Sequence, residues 1–236
     1  MVRPKKFLGQ HFLKNESICA RIADSLKPEG KYTRTLEIGP GTGALTKFLL
    51  AREDLDLVVV ELDRDSVPYL NQHFADLKGR IVEGDFLHLD LDTFGDGPMA
   101  IVGNFPYNIS SQILFKVLDN KERVPEVVGM FQDEVAKRLC SGPGNRDYGI
   151  LSVLLQAFYT LEYLFQVDAS EFNPPPKVQS AVIRLVRNDT LDLGCDVREF
   201  KKIVKMAFNQ RRKTMRNSLK TLIELKGLDK SLDVFS

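Results

Sequence analysis

The stretch Leu36-Glu37-Ile38-Gly39-Pro40-Gly41-Thr42-Gly43-Ala44 decides the fold, because an apolar, β-rich run ends directly in a glycine-rich turn. Glycines at a strand-to-helix turn let the backbone approach a ligand closely, and the following helix offers free N–H groups. The stretch therefore predicts a nucleotide-like ligand at the end of a strand. Gly39, Gly41 and Ala44 also fit the dinucleotide fingerprint of hydride-transfer enzymes, so this turn alone leaves the chemistry open.

Short β-rich runs recur after this turn, separated by helix-length stretches or turns. Such alternation is typical of βαβ units and of an α/β fold with a parallel, doubly wound, Rossmann-like sheet. We expect seven strands between residues 30 and 187, preceded by an amphipathic helix that carries Ile18, Ile22 and Leu26 and is capped by Asn15 or Ser17. The predicted strands are 35–38, 57–60, 80–82, 100–102, 126–130, 159–167 and 178–186.

The pattern changes after residue 189, where no further β-rich run appears and residues 197–225 predict two helices rich in Lys and Arg. We therefore expect two domains. The first covers residues 1–187 and begins with a basic segment and helix at 1–27, and the second is a small, all-helical, basic domain at 188–236. Residues 229–236 are too few for a further packed helix, so the sequence leaves open whether this second domain is complete.

Charge is segregated along the chain, although 33 Lys+Arg against 32 Asp+Glu give a net charge of only +1. Residues 1–27 carry a net charge of +4, residues 28–197 of −10, and residues 198–226 of +8. Basic ends around an acidic body suggest a polyanionic partner, because Lys and Arg that neutralise phosphates release counterions. A solvated helix face is the alternative explanation of the basic C-terminal segment.

Composition excludes several classes of protein. The three cysteines (Cys19, Cys140 and Cys195) are far apart and show no zinc-ligand spacing with histidine, so we expect reduced thiols and no metal site. No run of about 18 apolar residues is present, and the first residues lack the apolar stretch of a secretory signal. We expect a cytoplasmic protein that does not enter the membrane.

Two acidic residues follow the second and third predicted strands. Glu61 can accept hydrogen bonds from both ribose hydroxyls of an adenosine, and Asp85 can accept one from the exocyclic amine of adenine. Because the carboxyl ends of parallel strands meet at one edge of a sheet, these residues and the glycine turn predict a pocket for an adenosine-bearing ligand.

The fourth predicted strand ends in Asn104-Phe105-Pro106-Tyr107, a turn suited to an amine whose lone pair is conjugated into a base. The Asn104 side-chain oxygen and the Pro106 carbonyl can each accept one N–H of adenine N6, which aims the nitrogen lone pair at an electrophilic methyl group. Tyr107 is expected to stack on a flipped-out base. Phe172, held by three following prolines, is expected to form the second face of an aromatic clamp; filling the core is the alternative.

Eight blocks in order along the chain match one known family. They are Phe7–Leu13, Glu37–Gly43, Glu61–Asp65, Gly84–Asp85, Asn104–Ser110, Asp147–Gly149, Phe172–Ser180 and Phe208–Asn217. In these blocks the sequence resembles the ribosomal RNA adenine-N6,N6-dimethyltransferase family. Two positions depart from the family's usual pattern: Phe105 stands where a smaller aliphatic residue is common, and His11 where Asn is common.

The resemblance implies a class I methyltransferase fold, S-adenosylmethionine as methyl donor, and an RNA substrate. The implied reaction is two successive N6 methylations of each of two adjacent adenosines in the 3′-terminal hairpin loop of small-subunit (16S-type) ribosomal RNA, during ribosome biogenesis. The residues expected to hold the donor are His11, Leu13, Gly39, Gly41, Glu61, Asp85 and Asn104.

RNA is expected to contact the basic ends of the chain. Like charges that lie close together in an isolated helix repel, and phosphates between them would relieve the repulsion. One cluster of basic residues lies near the C-terminus, and a second basic stretch lies at the N-terminus. The cluster consists of Arg211, Arg212, Lys213 and Arg216, and the N-terminal residues are Arg3, Lys5 and Lys6. We expect the partner to be the immature 30S-type ribosomal subunit and the protein to be a monomer.

Three other functions stay open at this stage. The first is the related adenine-N6 methylation of large-subunit ribosomal RNA, which confers macrolide resistance. The second is a ribosome-assembly factor that binds RNA on the same scaffold. The third is hydride transfer, for which no proton donor is evident near the fourth strand.

Overall fold

A computed structural model describes residues 2–190, 192–225 and 227. The strands are β1 (Phe12–Leu13), β2 (Arg34–Ile38), β3 (Asp56–Glu61), β4 (Ile81–Glu83), β5 (Met99–Asn104), β6 (Glu126–Gln132), β7 (Tyr159–Val167), β8 (Phe172–Asn173) and β9 (Ser180–Arg187). The α-helices are α1 (Glu16–Asp24), α2 (Thr46–Leu50), α3 (Ser66–His73), α4 (Ser110–Asp119), α5 (Asp133–Cys140), α6 (Ile150–Gln156), α7 (Val197–Asn209), α8 (Met215–Ser218) and α9 (Lys220–Leu225).

Seven strands form one sheet in the order β4-β3-β2-β5-β6-β9-β7. The first five are parallel, and β9 runs antiparallel to both of its neighbours. The predicted seven-stranded α/β sheet is thus confirmed. Strand order reverses between β2 and β5, so their carboxyl ends flank the crevice in which open parallel sheets bind ligands.

Helices cover both faces of the sheet, because successive side chains of a buried strand point to opposite faces. On β5, Met99 and Ile101 belong to the core beneath α4, α5 and α6, whereas Ala100 and Val102 belong to the core beneath α1, α2 and α3. The predicted first helix is α1, although it ends at Asp24 and leaves Leu26 outside. The Asn15 side chain caps it by accepting from the Ser17 and Ile18 amides at 3.0 and 3.3 Å.

Two very short strands, β1 and β8, were not predicted. They pair antiparallel, with Phe12 opposite Asn173 and Leu13 opposite Phe172. The Lys14 amide donates to the Glu171 carbonyl at 2.8 Å, which extends the pairing. The front segment of the chain is therefore tied to the loop that precedes β9, beside the crevice.

The basic C-terminal segment forms three helices instead of the predicted two. α7 ends at Asn209, a turn follows in which the Lys213 amide donates to the Gln210 carbonyl at 2.8 Å, and the Thr214 side chain caps α8. Val204 of α7 is buried against the core beneath α4–α6. Residues 229–236 lie outside the described residues, and within the described ones no helix is long and apolar enough to cross a membrane.

Candidate active site

A cavity of about 250 Å³ opens at the carboxyl edge of the sheet, between the ends of β2 and β5. The turns after four parallel strands form one side of it, which we call the sheet edge. Residues 7–12 form the opposite side, which we call the N-terminal wall. Eight of the predicted site residues line the cavity together on these two sides: His11, Gly39, Gly41, Glu61, Asp85, Asn104, Pro106 and Tyr107.

The glycine turn and Glu61 are bonded to each other. The Gly41 amide donates to Glu61 Oε2 at 2.9 Å, and the Asp63 amide donates to Glu61 Oε1 at 2.8 Å. Burial raises the pKa of Glu61, whereas these two amides favour the charged carboxylate. Each carboxylate oxygen keeps a further acceptor position, so Glu61 can still accept from two hydroxyls of a ligand.

Gly41 has a backbone φ of +57°, a conformation that L side chains rarely adopt. A Cβ atom at this position would lie 2.7 Å from Phe12 Cε1 on the N-terminal wall. The close approach of the two sides of the cavity therefore requires glycine here.

Asp85 lies in the turn after β4, and its side chain is held by two contacts. Oδ1 accepts from the Leu87 amide at 2.9 Å, and Oδ2 lies 2.8 Å from His88 Nδ1. Asp85 lines the same cavity as Glu61, because the β3–β4 register places Glu83 opposite Glu61. The two carboxylates thus stand at neighbouring strand ends, as a ligand with a ribose and a base requires.

Asn104 ends β5 and faces the N-terminal wall. Its Nδ2 donates to the main-chain carbonyl of His11 at 2.7 Å. This bond orients the amide and leaves the Oδ1 atom as the acceptor. The next turn closes with a bond of 3.1 Å from the Ile109 amide to the Pro106 carbonyl, which uses one of the two acceptor positions of that carbonyl.

Tyr107 and His11 form the aromatic surface beside Asn104. Their rings stack with centroids 5.7 Å apart and planes 23° apart. The Tyr107 hydroxyl hydrogen-bonds Ser180 Oγ, and His11 Nδ1 donates to the Pro174 carbonyl at 2.7 Å. Burial raises the pKa of Tyr107, which keeps its ring neutral and suited to stacking on a base.

Comparison with known proteins identifies the family to which this site belongs. The family model described as "Ribosomal RNA adenine dimethylase" matches residues 1–234. The chain is similar to ribosomal RNA small subunit methyltransferase A of Parabacteroides distasonis, at 58% identity over 100% of this chain and 88% of the relative. The same-named protein of Cytophaga hutchinsonii is 53% identical over 99% of this chain and 90% of that relative.

The chain belongs to the ribosomal RNA adenine dimethylase family.

Solved structures agree with this assignment. A dimethyladenosine transferase from Plasmodium falciparum superposes with a TM-score of 0.74 and 26% identity, over 95% of this chain and 85% of that one. The 23S rRNA methyltransferase ErmE superposes with a TM-score of 0.69 and 27% identity, over 95% and 93% of the two chains. The protein is an rRNA adenine dimethyltransferase with a class I methyltransferase fold, and its methyl donor is S-adenosylmethionine.

The structure does not place Phe172 in the active-site cavity of this dimethyltransferase. Its ring is only 1% exposed and packs in the apolar core on the α1 side of the sheet. The cause is the β1–β8 pairing, which sets Phe172 opposite buried Leu13. The expected aromatic clamp between Tyr107 and Phe172 is therefore corrected: the ring that stacks on Tyr107 is that of His11.

Leu13 lies behind the glycine turn, outside the main cavity. It lines a separate space of about 30 Å³, together with Glu37 and Leu45. Phe12, Gly39 and Asn104 line both spaces, so Leu13 is one layer behind the residues that face the main cavity.

Sequence reasoning missed the residues that hold the N-terminal wall in place. Lys5 Nζ lies 2.5 Å from Asp63 Oδ1 and 2.6 Å from Asp65 Oδ2, and Gln10 Nε2 donates to Asp63 Oδ2 at 3.0 Å. Burial alone would raise the pKa of Asp63, but the bonds from Lys5 and Gln10 hold it below its ordinary value. The signal in the sequence was Asp63, a second carboxylate two residues after Glu61 with no role assigned to it.

The basic C-terminal residues lie away from the cavity. Arg211 Nη2 donates to the Arg146 and Tyr148 carbonyls at 2.8 and 3.0 Å, and the Tyr148 and Phe208 rings meet edge to face at 6.0 Å. Arg211 thus joins the family blocks 147–149 and 208–217. The other three cations, Arg212, Lys213 and Arg216, are exposed and have no ion pair with any residue that the structure describes.

Proposed function

We propose that this enzyme dimethylates N6 of two adjacent adenosines in the 3′-terminal hairpin loop of small-subunit ribosomal RNA. The substrate is the immature 30S-type subunit during ribosome biogenesis. The observation that carries the proposal is Asn104, whose Nδ2 is fixed on the His11 carbonyl so that Oδ1 is the free acceptor beside an aromatic surface. An amide oxygen next to stacked rings suits a flat base with an exocyclic amine.

The sheet edge fits the adenosine part of S-adenosylmethionine. Glu61, fixed by the Gly41 and Asp63 amides, accepts from the ribose hydroxyls, and Asp85 accepts from the adenine amine. The positive φ of Gly41 keeps the turn clear of a side chain where the ligand passes. Bound here, S-adenosylmethionine supplies an electrophilic methyl group that N6 attacks as the carbon–sulfur bond breaks.

The chain's contribution to the reaction is positioning and hydrogen bonding. Asn104 Oδ1 and the second acceptor position of the Pro106 carbonyl take the two N6 hydrogens, which draws the nitrogen toward tetrahedral geometry. Tyr107, whose ring packs on that of His11, stacks on the base. The alkylated amine is acidic and loses its proton to water, so no side chain is required as a general base. Loss of that proton leaves a secondary amine that can react a second time.

The two parts of the chain have different tasks in this proposal. Residues 1–187 hold the donor and the target base, and residues 188–236 contact RNA through Arg212, Lys213 and Arg216. Arg211 contributes by joining the two parts, since its guanidinium already bonds two carbonyls of the 146–148 loop. We place the reaction in the cytoplasm and expect a monomeric enzyme.

Incubation with ribosomal particles tests the proposal. The purified protein is incubated with radiolabelled S-adenosylmethionine and either immature small subunits or large subunits. Nucleoside mass spectrometry then identifies the product. We expect N6,N6-dimethyladenosine in the small subunit only. Dimethylation confined to large-subunit RNA would establish the alternative substrate, and no transfer to either would refute the proposed function.

Asn104→Ala tests the mechanism. We expect the single-turnover rate at saturating donor to fall about 100-fold or more, the loss typical of removing one preorganised hydrogen bond at a reacting centre. Asn71→Ala is the matched control, because Asn71 is an exposed asparagine on α3 whose Nδ2 bonds only the Val67 carbonyl. Unchanged transfer by the Asn104 variant would remove Asn104 from the mechanism, and an unchanged melting temperature would show that the fold is intact.

A further inference from the structure

Phe7 is an exposed aromatic residue at the mouth of the cavity. It lies in a 3₁₀-turn, Lys6–Leu8, and its side chain is 77% exposed although it lines the cavity. The residues that bind the donor in the proposed function lie deeper, at the strand ends. Because most of the ring faces outward, it is free to contact a partner outside the cavity.

The backbone around Phe7 is held on both sides. Lys5 is paired with Asp63 and Asp65, and Gly9 packs so closely on the catalytic turn that its Cβ would lie 2.7 Å from Asn108 Oδ1. Phe7 is two residues from Gly9, so their Cα atoms are at most about 7.6 Å apart. The backbone that carries the exposed ring is therefore held beside the turn that carries Tyr107.

Unpaired cations precede this ring in the chain. Arg3 and Lys6 are exposed, and neither has an ion pair or a side-chain hydrogen bond with any of residues 2–190, 192–225 and 227. Lys5 differs, because both of its carboxylate partners belong to the chain itself. An exposed aromatic face next to free cations, within a body of net negative charge, suits single-stranded nucleic acid, which binds by stacking and phosphate contact.

We infer that Phe7 is a stacking platform for the unpaired nucleotide next to the target adenosine, with Arg3 and Lys6 on its phosphates. The inference rests on the proposed function and adds a second base-binding position to it. The target base enters beside Tyr107 and its neighbour rests on Phe7, so the enzyme binds two consecutive nucleotides. Stacking tolerates any base, so Phe7 fixes the register of the RNA and not its sequence.

A direct binding experiment tests this inference separately from catalysis. The probe is a synthetic RNA hairpin whose loop contains two adjacent adenosines, with 2-aminopurine beside the target position. We expect Phe7→Ala to weaken binding about tenfold and to reduce the quenching of 2-aminopurine, since stacking on an aromatic side chain contributes at this level. Phe7→Trp should retain both signals, and Phe7→Leu should lose both, because leucine keeps the apolar character but not the ring.

Charge and donor binding provide the matched controls. Lys6→Ala should lower the slope of log affinity against log salt concentration by about 1, whereas Phe7→Ala should leave that slope unchanged. Lys78→Ala is the control for lost charge. Lys78 is exposed and precedes β4, so it lies toward the amino ends of the parallel strands, away from the cavity at their carboxyl ends. The affinity for S-adenosylhomocysteine, measured by calorimetry, should be the same in wild type and Phe7→Ala.

Two results would overturn the inference. Equal RNA affinity of wild type and Phe7→Ala would show that no base rests on the ring. Weaker S-adenosylhomocysteine binding with unchanged RNA binding would assign Phe7 to the donor instead. Methyl transfer by the wild-type enzyme to small subunits is measured separately. Absence of transfer would refute the proposed function, whereas equal RNA affinity of wild type and Phe7→Ala would refute only this inference.

Discussion

The two sides of the cavity are held in place by different means. The sheet edge follows from the parallel strands: its turns are joined by main-chain bonds, such as Gly39 amide to Val60 carbonyl and Gly84 amide to Glu61 carbonyl, both 2.9 Å. The N-terminal wall belongs to no large sheet. It is held by β1–β8 and by side chains, chiefly Lys5 and Gln10 on Asp63 and Asn104 on His11.

This difference links substrate positioning to the wall. The Nδ2 atom of Asn104 holds the wall by donating to the His11 carbonyl, and its Oδ1 atom remains free to accept from the target amine. One side chain therefore performs both tasks. A change in the wall is therefore expected to affect both the target base and the donor that the wall encloses, whereas a change in the sheet edge affects the donor first. Variants of the two sides should separate these effects.

The sheet edge is tested first by Gly41→Ala, for which the largest effect on donor binding is expected. Alanine would have to adopt a φ near +57° and would meet the Phe12 ring at 2.7 Å. The left-handed conformation alone costs about 1–2 kcal/mol, so we expect donor affinity to fall about tenfold or more as the turn moves. Isothermal titration with S-adenosylhomocysteine measures this. Gly97→Ala is the matched control, since Gly97 has no positive φ and, apart from its chain neighbours, no described residue has an atom within 4 Å of the added Cβ.

The sheet edge was also the part that the sequence predicted well. The ends of parallel strands meet at one edge whatever the helices between them are, so the order of the strand-end motifs was enough to place Gly39, Glu61, Asp85 and Asn104 together. What the sequence did not indicate was the bond from the Gly41 amide to Glu61, which joins motifs 20 residues apart.

The N-terminal wall could not be predicted in the same way. Lys5 was expected to contact RNA, but it pairs with Asp63, 58 residues away, and a single sequence carries no signal for a pair at that separation. Phe172 was misplaced because β1 and β8 have two residues each, too few to show the alternation by which a buried strand residue is predicted.

Lys5→Ala tests the wall. We expect donor release to become about three- to tenfold faster, because the variant loses a partly exposed charge-assisted contact. The free energy of unfolding should change less than the activation free energy of donor release. Stopped-flow displacement of S-adenosylhomocysteine measures the rate. Lys6→Ala, which removes a neighbouring lysine without an ion pair in the described chain, should leave the rate unchanged. Equal rates in wild type and Lys5→Ala would show that Gln10 and Asn104 suffice to hold the wall.

The same pair gives a pH signature. The folded-state pKa of Asp63 is lowered from its ordinary 3.8, so its contribution to stability is present above that value and is lost as pH falls through the folded pKa. The pKa of Lys5 is raised from 10.5 by its bonds to Asp63 and Asp65, so the contribution of Lys5 is present below 10.5 and is lost at higher pH. The stability difference between wild type and Lys5→Ala should therefore be largest between these limits.

The smallest effect on donor binding is expected for Glu37→Gln, which probes the buried layer of the sheet edge. Glu37 accepts a 2.7 Å hydrogen bond from the Thr46 hydroxyl, and burial raises its pKa from 4.5 to about 8. As pH rises, the Glu37 carboxyl therefore ionises at lower pH in the unfolded chain than in the folded protein. Wild-type stability should fall between about pH 4.5 and pH 8. Glutamine keeps the acceptor for Thr46 but does not titrate, which removes this loss.

Melting curves at several pH values test this difference between Glu37 and glutamine. At pH 9 the Glu37→Gln variant should be more stable than wild type by at least about 1.4 kcal/mol, the equivalent of one pKa unit, or about 3 to 6 °C in Tm. At pH 4 the two should melt alike. Thr46→Val gives a control of opposite sign, because loss of the hydroxyl raises the pKa of Glu37 further and extends the loss of stability to higher pH. Because Glu37 lines only the space behind the glycine turn, donor affinity should hardly change in Glu37→Gln. A large loss of donor binding would instead mean that the buried layer, and not only the turn above it, shapes the donor site.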